Sequence, residues 1–221
     1  MKWLCGWLLF MVFPALATAD ETLIAAAERG NVAELRQRLD AGAPINARDA
    51  RGRNAVLAAT QRGHAEAARL LIARGADVNA QDDIRDSAFL LAGARGHTEI
   101  VRAALAAGAN LKSTNRYGGT ALIPACHYGH VETVRLLLGS AIDVNHVNNL
   151  GWTALLEAVI LGDGGARHTE IVKLLIAHGA NVNLADKQGV TPLAHAVQRG
   201  QRANGEALRA AGARMVPSPL R

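Results

Sequence analysis

Glycine recurs along this chain at a fixed interval. Gly30, Gly63, Gly96, Gly129 and Gly162 are each 33 residues apart, and Gly200 follows after a further 38. A second ladder of Gly42, Gly75, Gly108, Ala141, Gly179 and Gly212 runs at intervals of 33, 33, 33, 38 and 33. A period of that length describes a stack of like units, in which no unit buries its apolar face alone and each is covered by its neighbours. In four of the six units two glycines stand twelve residues apart, which suits the left-handed turns that end short helices. Between them lie amphipathic segments such as the run from Ala65 to Ala73. The one break in the beat is a five-residue insertion, Asp163 to Arg167.

Composition agrees with short packed helices. Half of the 221 residues are apolar but only 4% are aromatic, so Ala, Leu, Val and Ile carry the core. That mix favours close helix packing over a sandwich of aromatic and β-branched strands. Charged residues at 19% exclude a disordered chain. Two cysteines, Cys5 and Cys126, exclude a disulfide framework.

The first nineteen residues have the three parts of a secretory signal peptide: Lys2, an apolar run from Trp3 to Phe13, and the small-residue site Ala17-Thr18-Ala19. Cleavage is expected between Ala19 and Asp20, which places the mature chain in the periplasm with Cys126 as its one thiol. No later segment is apolar for long enough to span a bilayer, so no stable membrane span is expected after cleavage. Removal of Lys2 takes the formal charge from +5 to 23 − 19 = +4. That charge is mild and forms no basic run, so nucleic acid is not an expected partner.

Gly118-Gly119-Thr120-Ala121-Leu122, Gly151-Trp152-Thr153-Ala154-Leu155 and Gly189-Val190-Thr191-Pro192-Leu193 repeat one motif. Gly-His recurs at 63–64, 96–97 and 129–130, and Gly75-Ala76-Asp77-Val78-Asn79 is echoed at 179–183. In period and motif the units resemble ankyrin repeats of an exported bacterial type. The resemblance covers residues 20 to about 214 and implies an all-α repeat solenoid of about six units, at 20–49, 50–82, 83–115, 116–148, 149–186 and 187–214. Each would be a turn or short β-hairpin followed by two antiparallel helices, with the terminal units as caps and 215–221 as a tail.

Departures from the family pattern are confined to single positions. The place where the family has His after its Thr-Pro-Leu run holds Leu57, Leu90, Ile123, Leu156 and Ala194. Arg85 stands for a hairpin glycine, which predicts that the third hairpin is the least regular. Ala141 stands for an outer-helix glycine, leaving that turn's conformation open.

Chemistry-bearing residues read as structural. His64, His97, His130 and His168 occupy one repeat position, where the family uses His to bond neighbouring backbone. Cys126 fills a small inner-helix position rather than that of a nucleophile. No phosphate-cradling loop, nucleophile elbow or metal-binding His pair is present. No enzymatic activity, cofactor or metal is expected.

Carried over from the family, the contact positions are the hairpin tips and the last inner-helix residues. They give a basic ladder of Arg29, Arg62 and Arg95, continued by Tyr128 and Leu161. With Tyr117, Leu150, Trp152 and Ile160 the last two would form an apolar-aromatic patch beside the insertion. Partner-binding residues are thus expected at Arg62, Arg95, Tyr117, Tyr128, Leu150, Trp152, Ile160 and Leu161. The opposing arrangement has the insertion folding back to cover Trp152, Ile160 and Leu161.

The resemblance implies a monomeric, non-catalytic module that binds a protein partner in the cell envelope through a concave face, stabilising or restraining an enzyme. A small-ligand or metal binder using His127, Tyr128 and the 163–167 loop is the alternative.

Overall fold

A computed structural model describes residues 19–215. The expected signal segment, apart from Ala19, and the tail beyond Met215 lie outside the described residues. Twelve helices form six antiparallel pairs: α1 (Ala19–Arg29) with α2 (Val32–Asp40), α3 (Ala55–Gln61) with α4 (Ala65–Ala73), and α5 (Ala88–Arg95) with α6 (Thr98–Ala106). They continue as α7 (Leu122–His127) with α8 (Val131–Leu138), α9 (Ala154–Ile160) with α10 (Ala166–Ala177), and α11 (Pro192–Gln198) with α12 (Arg202–Ala210). No strand forms among the described residues, so the connections between pairs are turns. Odd-numbered helices pack in order against one another, and even-numbered helices do the same. The result is a two-layer solenoid.

Capping residues set where the inner helices start. The side chains of Asn54, Ser87, Thr153 and Thr191 accept the N–H of Leu57, Leu90, Leu156 and Ala194 at 3.0–3.4 Å, satisfying a donor the helix leaves orphaned. The fourth unit differs. Pro124 has no N–H to give Thr120 its first helical bond, Thr120 Oγ1 is buried without a partner, and α7 is correspondingly the shortest helix at six residues.

A single apolar cluster runs from Leu23 to Leu208. Fully buried Leu35, Leu71, Leu122, Leu155 and Leu175 each contribute roughly 1.5–3 kcal/mol by leaving water. Alanine and glycine on the inner helices set the spacing. A Cβ added to Gly93 would stand 2.8 Å from the Cβ of Ala121, the residue that precedes α7, so α5 and the start of α7 approach too closely for a larger residue.

The histidine row ties units to their predecessors at His64 and His168. His64 Nε2 meets Glu28 O at 3.0 Å, and His168 Nε2 meets His127 O at 2.9 Å. In the last unit Gln201 takes over this position, donating from Nε2 to Val159 O and Gly162 O. Cys126 is fully buried, and burial, then the nearby Glu157, pushes its thiol pKa well up.

One turn expectation is corrected, and one open turn is resolved. Arg85 adopts φ +63, and its hairpin keeps the pattern of its neighbours: Asp82 N–H donates to Asp86 O and Arg85 N–H to Asp82 O, both at 2.9 Å. Arginine has been forced into a glycine conformation, and the hairpin is otherwise regular. At Ala141 the chain does not enter the left-handed region. Helix α8 stops at Leu138, and Ser140 bonds Leu137 O through both its N–H and its hydroxyl.

Candidate functional site: a groove between hairpin tips and inner-helix ends

Each hairpin is organised by one Asp or Asn whose Oδ1 accepts two N–H groups, two and four residues on. Asp49, Asp82, Asn115, Asn148 and Asp186 all do this at 2.9–3.1 Å. The geometry separates two positions that look alike in the sequence. The residue two on stands at the tip, so Ile84, Tyr117 and Leu150 are exposed at 52%, 56% and 51%. The residue four on is pulled back toward the helices, so Arg53 and Val190 are buried and Trp152 is half-buried.

Opposite the tips lie the residues that close the inner helices, with Arg62, Arg95, Tyr128 and Leu161 exposed. Between the two rows runs a groove of about 980 Å³. It gathers six of the eight expected contact residues: Arg62, Arg95, Tyr117, Tyr128, Leu150 and Leu161. Trp152 and Ile160 do not line it. The expectation for Ile160 is overturned, because this side chain, on α9, is only 6% exposed. Ile84 joins the apolar row of tips. It stands at the same hairpin-tip position as Tyr117 and Leu150, at 33-residue spacing.

Charge is distributed unevenly along the groove. Arg62 stands near one end, and Arg95 Nη1 donates to Gln61 O at 2.6 Å. In the middle Arg116 sits over the Tyr117 ring, 4.8 Å from its centroid, and 3.8 Å from Asp86. Burial, then the neighbouring Asp82 charge, holds the Asp86 carboxyl above its ordinary range. At the far end Tyr128 stacks on His127 with centroids 4.2 Å apart. Glu157 is 6% exposed and accepts from Asn148 Nδ2 at 3.0 Å. Burial pushes its pKa up to about 7, against the lowering effect of that bond. Glu157 was not among the expected residues, yet its row reads Ala58, Leu91, Pro124, Glu157, His195, with one acid.

A family model for ankyrin repeats, three copies, matches residues 7–82, 75–148 and 142–216. The chain is an ankyrin-repeat protein. Among solved structures, an ankyrin repeat domain from Acinetobacter baumannii is 54% identical, covering 87% of this chain and 98% of that one with a TM-score of 0.84. The ankyrin repeat protein EF0377 is 37% identical over 86% of this chain and 97% of its own, with a TM-score of 0.83. The ankyrin repeat domain of Bcl-3, a member of the IkappaB family, is 28% identical over 87% and 86%, with a TM-score of 0.76. A search of curated proteins found no match. Ankyrin repeats are in general protein–protein interaction modules on a scaffold that is typically non-catalytic.

Within this ankyrin solenoid the insertion does not cover the groove. Asp163 Oδ1 accepts from Gly165 N–H at 2.8 Å and meets His168 Nδ1 at 2.7 Å. Gly164, at φ +69, packs against Gln201 so closely that a Cβ there would come within 2.6 Å of its side chain. Leu161 therefore stays 42% exposed. His127 and Tyr128 line the groove while residues 163–167 do not, so the structure does not join them into one ligand cavity. Among the described residues no three His, Cys, Asp or Glu side chains are grouped to hold a metal ion.

Proposed function

We propose that this chain is a non-catalytic interaction module of the cell envelope, exported through residues 1–19, which binds a periplasmic protein along the groove and stabilises or restrains an enzyme there. The observation that carries the reading is the pair of facing rows. Tyr117 and Leu150 on the tips and Tyr128 and Leu161 on the inner-helix ends leave large apolar surface in water at positions the packing does not need. Contiguous exposed apolar surface marks interaction sites, and Tyr and Arg are common anchors of binding energy. Arg62 and Arg95 would pair with acidic groups of the partner. The chain acts as a monomer, each copy offering one groove.

The test is affinity capture from a periplasmic extract of the source organism, with the wild-type chain and a Tyr128→Ala/Leu161→Ala variant side by side. Both substituted residues are exposed, so the variant keeps its fold, as circular dichroism would verify. A protein captured by the wild type and lost with the variant supports the reading. Capture that is indifferent to the variant moves the binding face elsewhere. Detection of the chain in the cytoplasm with residues 1–19 intact overturns the export.

A further inference from the structure

The fifth-unit end of the groove holds a buried acid for which the protein itself supplies no cation. The Glu157 side chain is 8% exposed and lines the groove beside Tyr128, Leu150 and Leu161. Its Oε1 is bound by Asn148, a neutral amide. Its Oε2 lies 3.5 Å from His127 Nδ1, and burial, then the nearby His168, holds His127 below its ordinary pKa. At neutral pH the flanking imidazole is therefore uncharged.

Other buried or half-buried charges nearby have partners. Arg53 meets Glu28 at 2.7 Å and Asp49 at 2.6 Å. Asp86 has Arg116 at 3.8 Å. In the next unit, the residue equivalent to Glu157 is His195, which is 2.7 Å from Asp186. Glu157, the one acid of its row, is buried against the groove and is paired with no Lys or Arg among the described residues.

We propose that Glu157 forms the floor of a cation-accepting pocket, and that its occupant is a partner segment carrying a lysine or arginine side chain beside an apolar residue. The cationic head rests on the free edge of the Glu157 carboxylate, and the apolar neighbour packs on Tyr128, Leu150 and Leu161. A charge-assisted hydrogen bond to a desolvated carboxylate is roughly twice as strong as a neutral one. The outer face of Tyr128, already stacked on His127 by its inner face, adds cation–π attraction. An acidic side chain is repelled from this end and directed toward Arg62 and Arg95. The groove so gives its occupant a direction, cationic end at the fifth unit and acidic end at the second.

The inference rests on the groove being the docking surface, and the experiment separates the two. A phage-displayed library of random linear peptides is panned on the full chain, and enriched peptides are synthesised. Enrichment of Lys or Arg next to an apolar residue is expected. Replacing that cation with norleucine should weaken binding to the wild type at least about tenfold. The same replacement should matter little on a Glu157→Gln chain, whose amide oxygen still accepts from Asn148. The peptide-side substitution requires no variant of the protein, so the reading does not depend on that variant folding.

Peptides that lose affinity for a Leu150→Asp chain but ignore both Glu157→Gln and loss of their own cation overturn the pocket and leave the groove standing. Peptides indifferent to Leu150→Asp as well, or no enrichment at all, overturn both.

Discussion

Arg95 takes the hydrogen-bond acceptor that belongs by register to His97. In two other units the matching histidine reaches a carbonyl of the preceding repeat, Glu28 O for His64 and His127 O for His168. The equivalent carbonyl for His97 is Gln61 O, and Arg95 Nη1 occupies it at 2.6 Å, leaving His97 Nε2 buried without a partner. An exposed binding residue and an inter-repeat tie thus compete for one oxygen.

Arg95→Ala should release that carbonyl to His97. The pKa of His97 is lowered by burial first, then by Arg95 and His130, so the substitution removes an opposing charge and adds an acceptor for the protonated ring. An NMR titration of the His97 ring should move upward, while urea unfolding changes by less than about 0.5 kcal/mol. An unmoved titration would show that the two residues do not compete.

Arg85→Gly should stabilise the chain. Arg85 holds φ +63, a region that disfavours any side chain by about 1–2 kcal/mol, and its hairpin bonds are made by backbone and by Asp82. Glycine relieves the strain but loosens the unfolded chain, so a net gain of about 1 kcal/mol is expected in denaturant unfolding. A loss would mean that the arginine side chain contributes more than its backbone costs.

Glu157 should make stability fall as pH rises. Its folded pKa of about 7 exceeds the ordinary 4.5, so the folded chain holds this proton more tightly than the unfolded one. The contribution is complete below 4.5 and is lost as pH climbs through 7, by on the order of 3 kcal/mol. Urea unfolding of wild type and Glu157→Gln at the two ends of that window measures it. The wild type should lose more stability on going to the alkaline side, and parallel behaviour of the two proteins would contradict the raised pKa.

Cys126 should resist alkylation until the solenoid opens. It is fully buried and its thiol is held protonated, so iodoacetamide labelling of the Cys126 peptide, followed by mass spectrometry, should track global unfolding. Rapid labelling of the native chain would place local opening at α7.

The glycine period made the stacking of helix pairs readable from the sequence, because glycine takes every left-handed position among the described residues except that of Arg85. The site was readable only in part. Tyr117, Leu150, Tyr128 and Leu161 stand where their repeat positions put them. Trp152 does not, because the two N–H groups drawn to Asn148 Oδ1 send one residue outward and pull the other back, and a position count does not distinguish them. Exposure of Ile160 depends on what packs over α9 from the helices around it, which a position count does not show. Glu157 escaped notice because a lone acid on an inner helix gains meaning only when its burial and its missing cation are seen together.

The insertion at Asp163–Arg167 lengthens α10 at its start, at Ala166 rather than at the Thr169 that matches Val131 of α8, and leaves α9 packed on α7 and α11 as before. The exposed end of the turn between α9 and α10, at Gly165 and past Leu161 and the packed Gly164, is consequently a natural splice point. A reporter loop or a second folded unit grafted there would ride on the scaffold without touching the groove, and the groove could evolve without regard to what is carried.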